Sequence, residues 1–495
     1  MSERESKAQE SSARGRVSRR KFLRVSMALG GSVAVLSACA PAAPPAAPSG
    51  AATTAPASSA GTAVPAATVA TVATTAPTPA PTPTDIVVGQ GTVSMAMWVQ
   101  DFGPVVDAFK KAAEDYAKQS GTVKVTVQAI PYNDLQAKVI PSVAAGNEAE
   151  IIMGYTNWYI ATDISKLFLP LDDFFGGRAA LEKTIFPSAM TVINTPGNKT
   201  FYLPYLTGLR GVVTTVNVGH YNEKKIDYTK FTTFDEFEQA ARTLTIRDGD
   251  SIKRAGLSNW NAALVMLKTW IWQQGGEFYS GDTGKWSLSS AEGEAALQRI
   301  QDLYQKDKVC NLDIANREYE SFLQGTLSTQ LEGAWTMGVI ASANPDLKLD
   351  SVVTPKLANA KSATVYPDHT AVLTLSKRLA ADNQKLESGV GLTKALVSPD
   401  ALISITDAYS GSLMSKALYD DPRIQKTKYG LISKRVAEGV WPNARFPQDH
   451  VANQAPALTE LQRALTKEIS IKDALANADA FLNEQETQAR ERLKA

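Results

Sequence analysis

Apolar residues from position 85 onward recur with two different spacings, one typical of strands and the other of helices. Every second residue is apolar over 93–97, which predicts a strand, and the apolar residues of 105–116 recur at helical spacing. The same order follows with a strand over 123–129, a helix over 135–143 and a short apolar strand at 151–153. Strand, helix, strand, helix, strand predicts a parallel sheet that carries helices on its faces.

A second block of strands and helices follows the first. Residues 211–218 are strand-like, and residues 233–236 and 289–292 both have the Ser/Thr-x-x-Glu spacing of a capping box that opens a helix. Residues 455–493 are helical in pattern almost throughout. No charge run or low-complexity stretch separates the blocks, which predicts two interlocked α/β lobes and not a string of separate domains.

Residues 1–38 have the organisation of an export signal. Arg19 and Arg20 lie in a Ser-Arg-Arg-Lys-Phe-Leu run that resembles a twin-arginine signal, and an apolar run over 25–36 follows. This run is shorter than the roughly 20 apolar residues that a transmembrane helix needs. It leads into Leu-Ser-Ala before Cys39, which resembles a bacterial lipobox, so we expect Cys39 to be acylated and to anchor the protein on the outer face of the cell membrane. Export by the twin-arginine route and by the general route both stay open.

The next segment, residues 39–84, is composed mostly of Ala, Pro, Thr and Ser. Beyond Cys39 it contains no charged and no aromatic residue. Such a composition cannot bury enough apolar surface to offset the loss of chain entropy on folding. We therefore expect a disordered tether that holds the folded part near the membrane.

Charge and composition exclude several classes of function. The chain has 51 Lys and Arg against 50 Asp and Glu, so it lacks the basic excess typical of nucleic-acid binding. With two cysteines, one of them Cys39, and three histidines, we expect no internal disulfide, no metal site and no cofactor. The sequence contains no G-x-x-x-x-G-K-[ST], H-E-x-x-H or G-x-S-x-G motif, and we assign no catalytic residue.

Several short motifs, spread across the folded region, point to one family. They are Phe322-x-x-Gly325-x-x-Ser328-Thr329-x-x-x-Gly333-x-Trp335, Leu169-Pro170-Leu171-Asp172, Tyr202-Leu203-Pro204-Tyr205, Thr233-Phe234-Asp235-Glu236-Phe237 and Ser398-Pro399-Asp400. In this order they resemble motifs of the extracellular solute-binding proteins of the maltose-binding type, family 1. The chain departs from the family at Ser328-Thr329, where members usually have Ala-Met.

The resemblance implies a two-lobed, type II periplasmic-binding-protein-like fold with hinge strands between the lobes. Lobe 1 would comprise 85–209 and 353–396, and lobe 2 would comprise 210–352 and 397–495. It also implies a monomer that captures a small solute between the lobes, at the carboxyl ends of the strands. The partner would be the membrane permease of an ATP-driven (ABC) importer, with ATP hydrolysed on other subunits.

Sugar binding requires flat aromatic faces and planar polar groups, and such residues follow the predicted strands. The ligand-binding candidates are Trp98, Tyr155, Asn157, Trp158, Tyr205, Trp260, Trp335, Asp368, Tyr409 and Trp441. Trp270 and Trp272 lie in an apolar helical stretch and are assigned to the core. Trp260 stands at the start of that stretch and fits either role.

An exported, lipid-anchored carbohydrate-active enzyme is the alternative function. A glycoside hydrolase needs two carboxylates that flank one bond, and Asp101, Glu332 and Asp368 are the available candidates. The solute itself also stays open: a sugar or oligosaccharide is expected first, because the candidates are aromatic and Arg210 is the only arginine near a predicted hinge crossing. Polyols and phosphorylated glycerol are the other options.

Overall fold

The computed structural model describes residues 84–159, 162–185, 199–207, 210–260, 263–333, 335–362, 370–409, 412–413, 415, 417–426 and 454–494. The predicted signal peptide, nearly all of the tether, Cys39, Asp368 and Trp441 lie outside these residues. The described residues belong to one compact unit, whose core is divided into two hydrophobic clusters. None of the described helices combines the length and the apolar character needed to cross a bilayer.

The described residues form strands and helices with the following bounds. The strands are β1 (Thr84–Val88), β2 (Val93–Gln100), β3 (Val123–Ile130), β4 (Ile151–Tyr155), β5 (Leu203–Thr207), β6 (Val213–Asn217), β7 (Ile246–Asp248), β8 (Ser251–Arg254), β9 (Tyr279–Ser280), β10 (Lys285–Trp286), β11 (Thr329–Glu332), β12 (Leu349–Val353), β13 (Thr370–Leu375) and β14 (Ser412–Leu413). The first helices are α1 (Pro104–Ser120), α2 (Tyr132–Ala145), α3 (Ile164–Leu167), α4 (Asp172–Phe175), α5 (Gly177–Thr184), α6 (Val218–Glu223), α7 (Phe234–Leu244), α8 (Ala263–Gln273) and α9 (Ala291–Gln305). The later helices are α10 (Leu312–Ala315), α11 (Glu318–Leu323), α12 (Trp335–Ala343), α13 (Asn383–Leu396), α14 (Pro399–Tyr409), α15 (Pro422–Lys426), α16 (Ala455–Leu465) and α17 (Ile471–Lys494).

The larger sheet has seven strands in the order β1-β3-β2-β4-β13-β5-β14. Strand β2 pairs in parallel with β3 and β4, as predicted from the alternation of strands and helices. The other four pairs, β1 with β3, β13 with β4 and with β5, and β14 with β5, are antiparallel. The sheet is therefore mixed and not purely parallel as the sequence pattern predicted. The parallel prediction failed for β13 because this strand returns from a distant part of the chain, which the local pattern does not record.

A smaller sheet has three strands in the order β11-β6-β12, and both pairs are antiparallel. The segment after β8 runs parallel to β11, with bridges from Ala255 to Leu327 and from Ser258 to Gln330. The carboxyl ends of this segment and of β11 therefore lie side by side. Trp260 follows at the end of the segment after β8, and Glu332 is the last residue of β11.

Each sheet lies in its own core cluster. The first core cluster is formed mainly by buried residues of the seven-stranded sheet, α1, α2, α13 and α14. The second is formed mainly by those of the three-stranded sheet, α7, α8, α9, α16 and α17. Trp270 is fully buried in the second core cluster and Trp272 packs against it, which confirms their assignment to the core. Helix α14 packs in the first core cluster, although the predicted boundary assigns residues 397–495 to lobe 2. The exact lobe boundaries stay a prediction.

Two helix starts test the capping-box predictions. At Thr233 the box is present, since its side chain and that of Glu236 each bond to the other residue's backbone. At 289–292 the prediction was wrong by one residue: Ser290 is the N-cap and accepts from the Gly293 N–H at 3.0 Å. Ser289 is diverted because its hydroxyl donates to Asp479 of α17, a contact that local sequence does not reveal.

Candidate functional site

The candidate site begins at the carboxyl ends of β2 and β4. Gln100 ends β2 and Tyr155 ends the neighbouring β4, so both side chains lie at the same edge of the sheet. The Tyr155 hydroxyl donates to Oε1 of Gln100 and lies 3.3 Å from the hydroxyl of Tyr409, the last residue of α14. All three side chains are buried. Two candidates from distant parts of the sequence, Tyr155 and Tyr409, are therefore brought together.

Aromatic rings surround this edge. Tyr132 begins α2 just after β3, and its ring centroid lies 5.4 Å from that of Tyr155 and 5.1 Å from that of Trp158. Trp158 belongs to a single 3-10 turn that follows β4, and its Nε1 donates to the Tyr132 hydroxyl at 3.0 Å. On the other side, Phe102 lies 5.3 Å from the Tyr409 ring. The result is a group of rings that present both aromatic surface and hydroxyl groups.

Tyr205 reaches the same region through an irregularity in β5. Leu206 pairs with Ala371 and Pro204 pairs with Val372, so Tyr205 is the extra residue of a β-bulge. Bulges redirect side chains and occur often beside functional sites. The Tyr205 ring is 3% exposed. Its hydroxyl is buried without a hydrogen-bond partner among the described residues.

Asn157 shows the same feature, since its Oδ1 is also buried without a partner within the described part of the chain. A buried polar atom that lacks a hydrogen bond costs about 1–3 kcal/mol, so such atoms mark places where another polar group is expected. Burial raises the pKa of Tyr155 and of Tyr205 well above the usual value, so both phenols stay neutral at physiological pH. These side chains suit a ligand with hydroxyl groups.

Trp335 connects the two core clusters. It begins α12, and its 5% exposed side chain belongs to the first core cluster, whereas Leu331 and Met337 on either side belong to the second. Its ring centroid lies 6.2 Å from that of Tyr409, and its Nε1 donates to the Tyr319 hydroxyl at 2.9 Å. Trp335 is thus the candidate through which both clusters meet.

A partly buried ion pair lies beside Trp335. Arg210 donates from Nε to Oε1 of Glu332 at 2.9 Å, and its guanidinium carbon lies 5.3 Å from the centre of the Trp335 ring. The Glu332 side chain is 3% exposed. The opposite charges of Arg210 and Glu332 compensate each other within this pair.

Trp260 and Trp98 lie in other surroundings. Trp260 is buried in the second core cluster, and its backbone N–H donates to Oε1 of Glu318 at 3.2 Å. Trp98 lies inside β2, and Nζ of Lys138 from α2 stands 4.0 Å from the centre of its ring. Lys138 also donates to Gln128 at 2.7 Å, which fixes it in this position. Lys138 therefore lies over one face of the Trp98 ring, and a ligand contact of Trp98 stays a prediction.

Sequence analysis did not select four residues that the structure brings to the site, namely Gln100, Phe102, Tyr132 and Tyr319. Gln100 and Phe102 flank Asp101 at the end of the first strand, so their position was a usable signal. Tyr319 gave no such signal, because it lies in a short helix away from any predicted strand end. Within the described residues no cluster of His, Cys, Asp or Glu side chains is suited to hold a metal ion.

A mixed seven-stranded sheet and an antiparallel three-stranded sheet, each with its own core cluster, build a type II periplasmic-binding-protein-like fold. The chain belongs to the bacterial extracellular solute-binding protein family, whose model matches residues 102–382. No curated protein sequence matches the chain.

Solved structures of similar fold come from several bacteria. The maltose/maltodextrin-binding domain MalE of Bdellovibrio bacteriovorus, bound to maltotriose, is 17% identical with a TM-score of 0.63, over 80% of this chain and 100% of that one. The cyclic α-maltosyl-1,6-maltose binding protein of Arthrobacter globiformis is 18% identical with a TM-score of 0.62, over 80% and 100%. The substrate-binding protein Lmo0181 of Listeria monocytogenes, in complex with cycloalternan, is 16% identical with a TM-score of 0.64, over 79% and 98%. At these identities the likeness establishes the fold.

Proposed function

We propose that the protein is the solute-binding component of an ATP-driven importer and that its solute is a neutral sugar or oligosaccharide. The observation that carries the proposal is the contact of Trp335 with Tyr409, whose hydroxyl lies 3.3 Å from that of Tyr155, all three within the first core cluster. Trp335 also donates to Tyr319, which packs against the second core cluster. Sugar rings stack on Trp and Tyr faces, and their hydroxyl groups pair with amide, phenol and carboxylate groups. Several proteins of similar fold have oligosaccharides bound, which supports this choice of solute.

The two core clusters correspond to two lobes in this proposal, with α14 added to lobe 1 because it packs in the first core cluster. Chain segments pass between the clusters near Val213, at Trp335 and after Val353. A ligand that contacts side chains of both clusters stabilises the closed arrangement more than the open one. The permease of the importer would then recognise the closed arrangement.

Lipid attachment and delivery form the second part of the proposal. Acylation of Cys39 would anchor the chain on the outer face of the membrane, and the tether of residues 39–84 would allow the folded part to reach the permease. The lipobox-like sequence before Cys39 and the extracellular family support this part. Metabolic labelling with a radioactive fatty acid tests it: the native chain is expected to incorporate label, whereas the Cys39→Ser variant is not.

Thermal-shift screening against neutral sugars, polyols and sugar phosphates tests the choice of solute. We expect a rise in melting temperature with at least one neutral sugar and none with sugar phosphates, since the charge of Arg210 is already compensated by Glu332. Calorimetry with the Trp335→Ala variant should then show weakened binding. Turnover of the sugar by the purified protein would instead indicate the alternative, an exported carbohydrate-active enzyme.

A further inference from the structure

Glu318, the first residue of α11, contacts the segment that carries Trp260. It is 1% exposed, and its Oε1 accepts hydrogen bonds from the Trp260 backbone N–H, at 3.2 Å, and from the Ser258 hydroxyl. Hydrogen bonds to a charged acceptor are stronger than those between neutral groups. The Glu318 carboxyl group therefore holds both neighbours of Asn259, the Ser258 side chain and the Trp260 backbone, and with them the place where Trp260 begins.

Tyr319, the next residue of the same helix, contacts the other tryptophan. Its hydroxyl accepts from Nε1 of Trp335 at 2.9 Å. Burial, and secondarily the nearby Glu332 carboxylate, raise the pKa of Tyr319 well above the usual value, so the phenol remains neutral. This hydrogen bond fixes the rotation of the Trp335 indole, because Nε1 is its sole polar atom.

Consecutive residues of a helix point about 100° apart, which explains how one helix reaches two separate segments. Trp260 follows the segment parallel to β11, and Trp335 begins α12. Helix α11 is itself held in place, since Phe322 is fully buried in the second core cluster and the Ser321 carbonyl accepts from the Thr326 N–H at 2.8 Å. A firmly held helix can set the distance between the groups that it contacts.

We propose that Glu318 and Tyr319 are positioning residues that set Trp260, in the second core cluster, and Trp335, in the first, in a fixed mutual arrangement. The role toward a bound sugar rests on the proposed function, whereas the arrangement itself exists without ligand. Neither residue needs to touch the sugar. A displacement of α11 moves both tryptophans, so their responses are coupled.

The test uses ¹⁵N-tryptophan labelling of the full protein, which has eight tryptophans and therefore eight indole N–H signals. Assignment uses Trp335→Phe and Trp260→Phe. In ligand-free protein, Tyr319→Phe should shift the Trp335 indole signal, because its acceptor is lost, and should also shift the Trp260 signal through α11. Glu318→Gln should shift the Trp260 signal directly, because Glu318 accepts from the Trp260 backbone N–H, and should shift the Trp335 signal through α11.

Tyr228→Phe is the matched control. Tyr228 is buried in the second core cluster, and its hydroxyl donates at 2.7 Å to Oδ2 of Asp350 on β12, at the opposite edge of the three-stranded sheet from β11. The control should leave both signals in place. The coupled positioning by α11 is wrong if Tyr319→Phe and Glu318→Gln also leave both signals in place. It is equally wrong if Tyr319→Phe shifts only the Trp335 signal and Glu318→Gln only the Trp260 signal.

A measurement on the unaltered protein covers the case of a variant that fails to fold. Hydrogen exchange of the Trp335 indole N–H should be slowed by its bond to Tyr319, and exchange at the rate of a free indole would overturn the proposal. Titration with maltotriose separates this inference from the proposed function. If maltotriose leaves all indole signals unchanged, maltotriose binding fails, while the ligand-free spectra still decide the role of α11.

Discussion

The ring of Trp335 lies against Gly333 so closely that a Cβ atom at position 333 would stand 1.5 Å from Cζ3 of the ring. No side chain at residue 333 is compatible with this position of the indole. Gly333 belongs to the motif on which the family resemblance rests. The close approach of the indole explains why this position of the motif is a glycine. It permits the contacts of Trp335 with Tyr319, Tyr409 and Arg210.

Gly333→Ala should displace the Trp335 ring and weaken sugar binding by about tenfold, equivalent to roughly 1.4 kcal/mol. Calorimetry with a sugar identified in the thermal-shift screen measures the effect. Gly281→Ala is the matched control, because a Cβ at position 281 meets no atom within 4 Å. Unchanged affinity of the Gly333→Ala variant would show that the position of Trp335 is irrelevant to binding.

The Tyr205→Phe variant should lose sugar affinity without losing stability. The removed hydroxyl has no partner among the described residues, so the free energy of unfolding should stay within about 0.5 kcal/mol of the original or rise. Sugar affinity should fall, because a ligand hydroxyl loses its partner. Urea denaturation and calorimetry on the same preparation measure both quantities.

Tyr228→Phe provides the comparison for Tyr205→Phe. The Tyr228 hydroxyl donates to Oδ2 of Asp350 at 2.7 Å in the second core cluster. Its loss should lower the free energy of unfolding by about 1 kcal/mol and leave affinity unchanged. An equal loss of stability in the Tyr205 and Tyr228 variants would mean that the Tyr205 hydroxyl already has a partner.

His220 should make stability depend on pH between 4 and 7. Burial, with the Arg254 charge as a second cause, lowers the pKa of His220 to about 4, whereas an unfolded histidine has a pKa of about 6.5. Between these values the unfolded chain binds more protons than the folded one, so the free energy of unfolding falls as the pH drops. The loss is on the order of 1–3 kcal/mol.

The His220→Gln variant isolates this effect. Urea denaturation at several pH values should show a shallower fall in the free energy of unfolding from pH 7 to pH 4 than in the unaltered protein. Identical slopes for both proteins would exclude His220 as the titrating group.

Asp479 should prove important for the attachment of the C-terminal helix. Its carboxylate accepts from the Leu288 N–H at 2.6 Å and from the Ser289 N–H at 2.9 Å, and it is 8% exposed. Asp479→Ala leaves buried donors unpaired and should cost about 2–4 kcal/mol of stability. Glu491→Ala, an exposed position on the same helix, should change stability by less than about 0.5 kcal/mol. Similar melting temperatures for the two variants would contradict this role.

Local periodicity was sufficient to predict the strands and helices that build the first half of the large sheet. The alternation over 93–97 became β2, and the helical spacing over 105–116 became α1, because each pattern directs its apolar residues to one side. Antiparallel insertion of β13 was not predictable in the same way. It depends on pairing with β4, more than 200 residues earlier, and no local pattern encodes such a partner.

The candidate site was predictable where a residue's chemistry and its place after a strand were enough. Tyr155, Trp158, Tyr205, Trp335 and Tyr409 were selected in this way, and the structure brings them to one region; their contact with a ligand stays a prediction. The sequence could not predict the bulge at Tyr205 or the hydrogen bond from Trp335 to Tyr319, because both depend on the register or the packing of a second segment. For the same reason the sequence could not predict the contact of Lys138 with the ring of Trp98.

The central claim is that the protein captures a neutral sugar between its two core clusters without altering it. Incubation of purified protein with a panel of neutral oligosaccharides, followed by rapid gel filtration and mass spectrometry of the bound fraction, tests this claim most directly. The account predicts that one sugar co-elutes in stoichiometric amount, is recovered chemically intact, and is lost from the Trp335→Ala variant. Recovery of cleaved or otherwise modified sugar, or the absence of any retained sugar, would contradict it.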